Sequence, residues 1–575
     1  MSAGEHSRKR TRTESETPTR DVDEEITDPS SEEEDGEHQG AGDGESDEDL
    51  VDSEEEFKGE NPADKRRRLA KEYLKNLKEE AHDVIADGEG LQGENKDVES
   101  VTVDDYNNFD AAELDRDILA SRLKQDVAEQ HGRVFRFFAH KLLLSEAKTT
   151  FTRVGENNLT CISCFQPAFN KFQIDDERLS SRNKGKIFAY TASKDLQITK
   201  YDITDFDRRP QKLAFTKGGP RFFPQGKYEI ENTTEGHYDE ILTLAASPDG
   251  KYVVSGGKDR KLIVWSAESL APVKVIPTKD RRGEVLGLTF RKNTDQLYAS
   301  CADYKIRTYS INQASQLETL YGHHDIVVDI SALSMERCVT VGSRDKTAML
   351  WKIPDETRLT FRGGEEIDKL EKRWLRQHAT EKENGELEYP DASEMPVFYG
   401  EGSIDVVTMV DDSHFITGSD NGNLCLWSLA KKKPVFVERT AHGVIPPPGS
   451  EQISGESNEQ IRQRQLQDKR ISRPYWITAV HAIPYSNVFF SGSWNGSIKV
   501  WKILDNLRGF ELLGELPNCN GVVNKIQVVE AGKHGKEVFR VLASVGKEHK
   551  FGRWINKLPK ARNGIYSAVI TQGNF

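Results

Sequence analysis

The feature that most constrains this chain is a thirty-residue stretch, GHYDEILTLAASPDGKYVVSGGKDRKLIVW, running from Gly236 and His237 to Trp265. Its pattern predicts three short strands separated by two turns. Ile241–Leu244, Tyr252–Ser255 and Leu262–Trp265 are rich in apolar and β-branched residues, while Pro248-Asp249-Gly250 and Lys258-Asp259-Arg260 carry turn chemistry. His237, Ser255, Asp259 and Trp265 are placed to hydrogen-bond in series. A carboxylate buried between strands is costly unless it is paired, so these four side chains stand or fall together.

The stretch recurs. Gly322-His323 to Trp351 repeats it with the same His-to-Trp spacing, and Asp345 again lies six residues before the tryptophan, with Val341 read in the place of the serine. Weaker copies end at Tyr201 (with Asp195), Tyr309 (Asp303), Trp427 (Asn421), Trp501 (Asn495) and Trp554 (Glu548). A phased repeat of about 40–45 residues with this signature is the WD repeat, one four-stranded blade of a β-propeller. The expected fold is all-β: a seven-bladed WD40 propeller over residues 133–575, interrupted by insertions at about 362–395 and 440–473. The first insertion is charged and expected to be helical, and the second holds Pro446-Pro447-Pro448 followed by IRQRQLQDKR. Rings of this kind close by pairing a strand from one terminus into the blade made by the other. Val134–Leu144 and Tyr566–Thr571 are both candidates, and the pattern does not choose between them.

Before the ring the chain is different. Residues 1–60 are rich in Glu, Asp, Ser and Gly and bury too little apolar surface to fold alone, which reads as a disordered acidic tail. Basic runs at Arg8–Arg12 and Lys65–Arg68 frame the acidic tract and have the composition of nuclear-import signals or nucleic-acid contacts. Ser31 and Ser53 each precede three glutamates, a setting favoured by acidophilic kinases. Residues 61–132 read as helical segments and linker. Leu69, Tyr73 and Leu77 share one helical face, and Leu114, Ile118, Leu123 and Val127 repeat at helical spacing in a second segment. Phe135, Phe137 and Phe138 are expected to pack on the ring.

With 575 residues, 30% of them charged and a net charge of −15, the chain suits a large core with polar arms. No apolar run is long enough to span a bilayer, and MSAGEHSRKRTR lacks the apolar region of a secretory signal. Six cysteines in so long a chain are no disulfide framework, and Cys161 and Cys164 have no second pair at zinc spacing, so they are read as strand packing. No hydrolase, metalloprotease, nucleotide-binding or cofactor fingerprint is present, so neither catalytic residues nor a cofactor nor a metal site is expected. The charge pattern instead marks binding residues: Arg122, Lys124, Arg133 and Arg136 before the ring, and Lys279, Arg281 and Arg282 in a loop on the rim, where Lys258, Arg260, Arg344 and Lys346 are also placed.

Three features co-occur: RRRLAKEYLKNLK (Arg66–Lys78), RDILASRLKQDVAEQHGRVFRFFA (Arg116–Ala139) and the WD repeats. Together they resemble the U3 small nucleolar RNA-interacting WD-repeat proteins of the U3 ribonucleoprotein, in a fungal form, over roughly Asp64 to the C-terminus. The resemblance implies a non-catalytic, nucleolar RNA-binding scaffold. It implies recognition of the box B/C kink-turn of U3 RNA together with a docked kink-turn-binding protein, in company with the box C/D core proteins. It implies action in the small-subunit processome during pre-18S rRNA processing, with no membrane partner. The competing expectation is a protein-interaction scaffold or chaperone that holds basic clients, such as histones or ribosomal proteins, through the acidic tail.

Overall fold

A computed structural model describes residues 135–573, except for 156, 167–184, 223–234, 279–282, 365, 382–386, 389, 391–394, 447–454, 456, 468–471, 533–536, 553–557 and 559. The acidic tail, both basic runs, the helical segments expected before residue 133 and Trp554 lie outside the described residues.

Seven four-stranded antiparallel sheets follow one another as blades. Blade one is Leu159–Phe165, Phe188–Ser193, Gln197–Asp202 and Gln211–Lys217. Blade two is Ile241–Ala246, Tyr252–Gly257, Lys261–Ser266 and Pro272–Pro277; blade three is Val285–Phe290, Gln296–Cys301, Lys305–Ser310 and Ser315–Tyr321. Blade four is Val327–Ala332, Arg337–Gly342, Thr347–Lys352 and Thr357–Arg362; blade five is Ile404–Met409, His414–Ser419, Leu424–Ser428 and Phe436–Glu438. Blade six is Ala479–Ala482, Val488–Gly492, Ile498–Ile503 and Phe510–Leu516. In each blade these are the first (innermost) to fourth (outermost) strands.

Blade seven is built from both ends of the propeller. Its first three strands are Val522–Ala531, Val538–Gly546 and Gly564–Gln572, and its outermost strand is Leu142–Arg153, which pairs antiparallel with Gly564–Gln572 from Leu142↔Gln572 to Arg153↔Gly564. Both candidate closing segments are therefore used, the C-terminal one as third strand and the N-terminal one as fourth. This corrects the repeat assignment at Trp554: the third strand of blade seven lies beyond it, because the turn after Gly546 is a long loop.

The burial gradient explains the strand composition. Inner strands such as ILTLAA are buried on both faces between neighbouring blades, so they are continuously apolar. Outer strands such as QKLAFTK are mostly exposed and carry lysines. Flat sheet faces packed round a ring place the core between blades; one such cluster joins Ile198 and Tyr190 of blade one to Leu244, Ile263 and Trp265 of blade two. Cys161 and Cys164 sit on the innermost strand of blade one, with Cys161 in that core. No described helix is long and apolar enough to cross a membrane.

The turn between the second and third strands of a blade lies on the same rim as the connection that leads into the blade. Backbone bonds show this: Lys258 N donates to Glu240 O, Ala302 N to Glu284 O and Ser343 N to Ile326 O. Both insertions are connections of this kind, between blades four and five and between blades five and six, so both rise from this upper rim. The first contains α1 (Ile367–Gln377) and the second α2 (Glu459–Gln467).

Candidate nucleic-acid interface

The polar series expected in blade two is present. Trp265 Nε1 donates to Ser255 Oγ (2.7 Å), Ser255 lies 2.6 Å from His237 Nε2, and His237 Nδ1 lies 2.8 Å from Asp259 Oδ2. A hydroxyl that accepts from the indole has its own proton left for Nε2, which leaves Nδ1–H to donate to the carboxylate and fixes the tautomer. Blade four repeats the series with Thr340, not Val341, as the hydroxyl: Trp351 Nε1 donates to Thr340 Oγ1 (2.8 Å), which meets His323 Nε2 at 2.8 Å, and His323 Nδ1 meets Asp345 at 2.9 Å. The turn of blade four, Ser343–Lys346, is one residue longer than Lys258–Arg260, which moves the hydroxyl one place back along its strand. Burial pushes the Asp345 carboxyl up, but the bonds from His323 and the Thr347 amide outweigh it and hold it below its ordinary value.

The other blades diverge. In blade six the histidine is His442, which contacts Ser491 Oγ at 2.8 Å and Asn495 Oδ1 at 3.1 Å, while Trp501 Nε1 donates to Ser491 (2.8 Å). The second insertion separates His442 from its tryptophan, so repeat spacing does not find it; the Ala-His-Gly at 441–443 was the available signal. Burial pushes the His442 imidazole down to about 4, keeping it neutral. In blade five the buried Glu401 accepts a bond from Ser419, while Trp427 Nε1 donates to a different hydroxyl, that of Thr417. In blade three Asp303 pairs with Arg307 at 2.5 Å, while the hydroxyl of Tyr309 is buried without a hydrogen-bond partner.

Among the residues expected to meet nucleic acid, Arg122, Lys124, Arg133, Lys279, Arg281 and Arg282 lie outside the described residues. The loop carrying the last three starts at Thr278 and resumes at Gly283 on the upper rim, where Thr278 N donates to Arg260 O. Arg136 lies on the opposite rim. Its backbone bridges the Tyr485–Asn487 turn of blade six, and its guanidinium grips Glu530 of blade seven through two bonds of 2.7 and 2.9 Å. The geometry thus gives Arg136 a clamping role. Phe138 beside it stacks on Phe539 at 4.8 Å and is buried, as expected for a ring packed on the propeller, while Phe137 remains 45% exposed.

The upper rim is not uniformly basic. Lys258 is paired with Glu240 (2.5 Å), and Lys194 with Glu548 (3.3 Å). Arg344 stands exposed in the turn of blade four. The channel below holds a bridge across the ring: Lys525 of blade seven meets Asp329 of blade four at 3.1 Å, and the same carboxylate accepts the Val407 amide of blade five at 3.2 Å. Burial pushes the Lys525 ammonium down, and Asp329 more than restores it.

What repeat spacing missed is on the insertions. Helix α1 presents Lys369, Lys372, Arg373 and Arg376 to solvent. The insertions touch each other through Tyr399 and Ser472, whose hydroxyls are 3.0 Å apart.

The WD domain, G-beta repeat family matches residues 229–266, 314–352 and 470–502. The chain is 68% identical over 571 residues to ribosomal RNA-processing protein 9 of Saccharomyces cerevisiae, covering 99% of this chain and 98% of that one. It is 27% identical over 508 residues to human U3 small nucleolar RNA-interacting protein 2, covering 88% and 82%. The solved structure of U3-55K superposes with a TM-score of 0.52 at 26% identity, over 73% of this chain and 98% of that one.

Proposed function

Because the chain belongs to the family of ribosomal RNA-processing protein 9, we propose that it is the WD-repeat scaffold of a U3 small nucleolar ribonucleoprotein, working in the nucleolus on ribosomal RNA processing. The family is one of non-catalytic propellers. The observation that carries the reading is the near-complete collinearity with the yeast relative, which extends through the segments before the ring as well as the repeats.

At the finer level, the scaffold reads the box B/C kink-turn of U3 RNA together with the small protein already docked on it, beside the box C/D core proteins and within the small-subunit processome. Composite recognition suits an acidic chain. Cations placed locally meet phosphates, while the docked protein supplies shape. Arg122, Lys124 and Arg133 meet the RNA before the ring, and Lys279, Arg281 and Arg282 meet it on the upper rim. Arg136 anchors the first group to the propeller through Glu530. The acidic tail serves solubility and protein neighbours; a chaperone for basic clients would use it as the principal site instead.

Two variants of the full chain separate these readings. Removing residues 1–60 leaves U3 RNA associated with the purified protein, whereas replacing Arg122, Lys124 and Arg133 by glutamate strips it. Retention of RNA by the second variant, with loss of basic protein clients from the first, contradicts the ribonucleoprotein reading.

A further inference from the structure

The cationic face of α1 has no role in the repeats, the channel or the ring closure. Its charges fall at Lys369, Lys372, Arg373 and Arg376, spacing i, i+3, i+4, i+7, which places them on one side of a helix over about 10 Å of its length. The apolar residues fall on the other side. Leu370 is 4% exposed, and Ile367 lies over Gly400, where a Cβ would come within 3.3 Å of its Cδ1. Trp374 stacks on His378 at the helix end (4.3 Å) and is half-buried. The helix is therefore held by its apolar side and offers its basic side to solvent. Lys369 has a single exposed partner, Glu366 at 3.2 Å, of the kind that contributes little in water.

The surroundings extend this charge. The connection that carries α1 begins where Gly363 N donates to the carbonyl of Lys346, in the turn that also bears the exposed Arg344. Across the Tyr399–Ser472 contact, the second insertion adds Arg462 and Arg464 on α2, and the half-buried Arg462 leaves its Nε without a hydrogen-bond partner among the described residues.

From this placement we infer that α1 is a phosphate-backbone contact for RNA: the insertion between blades four and five docks a basic helix on the upper rim, and its Lys369–Arg376 face lies along the RNA. The inference rests on the ribonucleoprotein reading and adds a binding site to it. Charge complementarity selects the ligand class. A membrane-surface helix needs its apolar face free, and here Leu370 is buried and Ile367 lies over Gly400 of the same connection. Guanidinium forks and ammonium points suit phosphate oxygens, and they bind without reading sequence.

The test uses the full chain and transcribed U3 RNA carrying its kink-turn protein, titrated at several salt concentrations. The variant K369Q/K372Q/R373Q/R376Q keeps good helix formers while removing four charges. It is expected to bind about tenfold or more weakly near physiological salt, with a log–log salt slope shallower by up to about 3. The charge-conserving variant K369R/K372R/R373K/R376K is expected to bind as wild type, which excludes a purely structural loss. Wild-type affinity and slope in the neutralised variant overturn the inference while leaving the ribonucleoprotein reading intact; loss of a processome protein from that variant, with RNA binding unchanged, assigns the face to an acidic protein and overturns it too. Failure of the wild-type chain to bind the RNA–protein complex overturns both.

Discussion

At the scale of single residues, the polar series of blades two and four are closed circuits, and the blade-three site is not. Replacing Ser255 by alanine removes the hydroxyl shared by His237 and Trp265 and leaves the imidazole and the indole N–H unsatisfied in a buried site. The expected loss is about 1–3 kcal/mol, read as a lower denaturant midpoint at unchanged m-value. Tyr309→Phe removes a hydroxyl that already bears that desolvation penalty, so it is expected to leave stability unchanged or to raise it by up to about 1–3 kcal/mol in the same assay. Equal losses in the two variants contradict the assignment. Sequence reading located the members of these circuits wherever repeat spacing was kept, as at His237 and Trp265. It misplaced the blade-four hydroxyl because two one-residue changes cancel: the strand comes one residue early and the turn is one residue longer. His442 was hidden for a coarser reason, an insertion placed between it and its own blade.

At the scale of elements, closure of the ring depends on Leu142–Arg153. This strand covers the outer edge of Gly564–Gln572, which is otherwise a row of unpaired backbone groups. A chain beginning at residue 135 is expected to remain monomeric on size exclusion, whereas one beginning at residue 155 is expected to aggregate; a monomeric, cooperatively unfolding protein from the shorter chain contradicts the closure. Neither end of the repeat array carries a marker residue, so the sequence left both candidates open. Blade six adds a pH dependence. Burial lowers His442 to about 4, and burial with the neighbouring Lys525 lowers His481 to about 3, against an ordinary value of 6.5. The unfolded chain takes up protons that the folded chain refuses, so stability present at neutral pH is lost as the pH falls from 6.5 toward 4. Asp405, raised by burial to about 6, acts with the opposite sign, gaining stability over the lower part of that range. Glu401 and Glu438, also raised by burial, act in the same direction as Asp405, while His549, which burial lowers well below its ordinary value, joins His442 and His481; the three buried imidazoles outweigh the carboxyls. A Tm that falls between pH 7 and pH 4.5 is expected, and a flat or rising Tm contradicts the burial of neutral imidazoles.

At the scale of the molecule, the two rims have different tasks. The lower rim receives the incoming chain through Arg136, Phe138 and Asn487. The upper rim carries the connections that hold both insertions, and Thr278 and Gly283 lie on it. The propeller itself was legible in the sequence because its inner strands must be apolar and its tight turns must repeat. The interface was less so. A run such as DKLEKRWLRQ looks like solvated charge until the docking of Leu370 shows which side faces water. Likewise, lysines such as Lys258 look like a binding rim until their carboxylate partners are seen. The central claim, a U3 particle scaffold that meets RNA from a defined face, is tested most directly by crosslinking the full chain to RNA in cells and sequencing what it holds. Reads concentrated on U3 RNA, at the box B/C kink-turn and its adjoining stem, are predicted; reads at background level, or spread evenly over small nucleolar RNAs, contradict it.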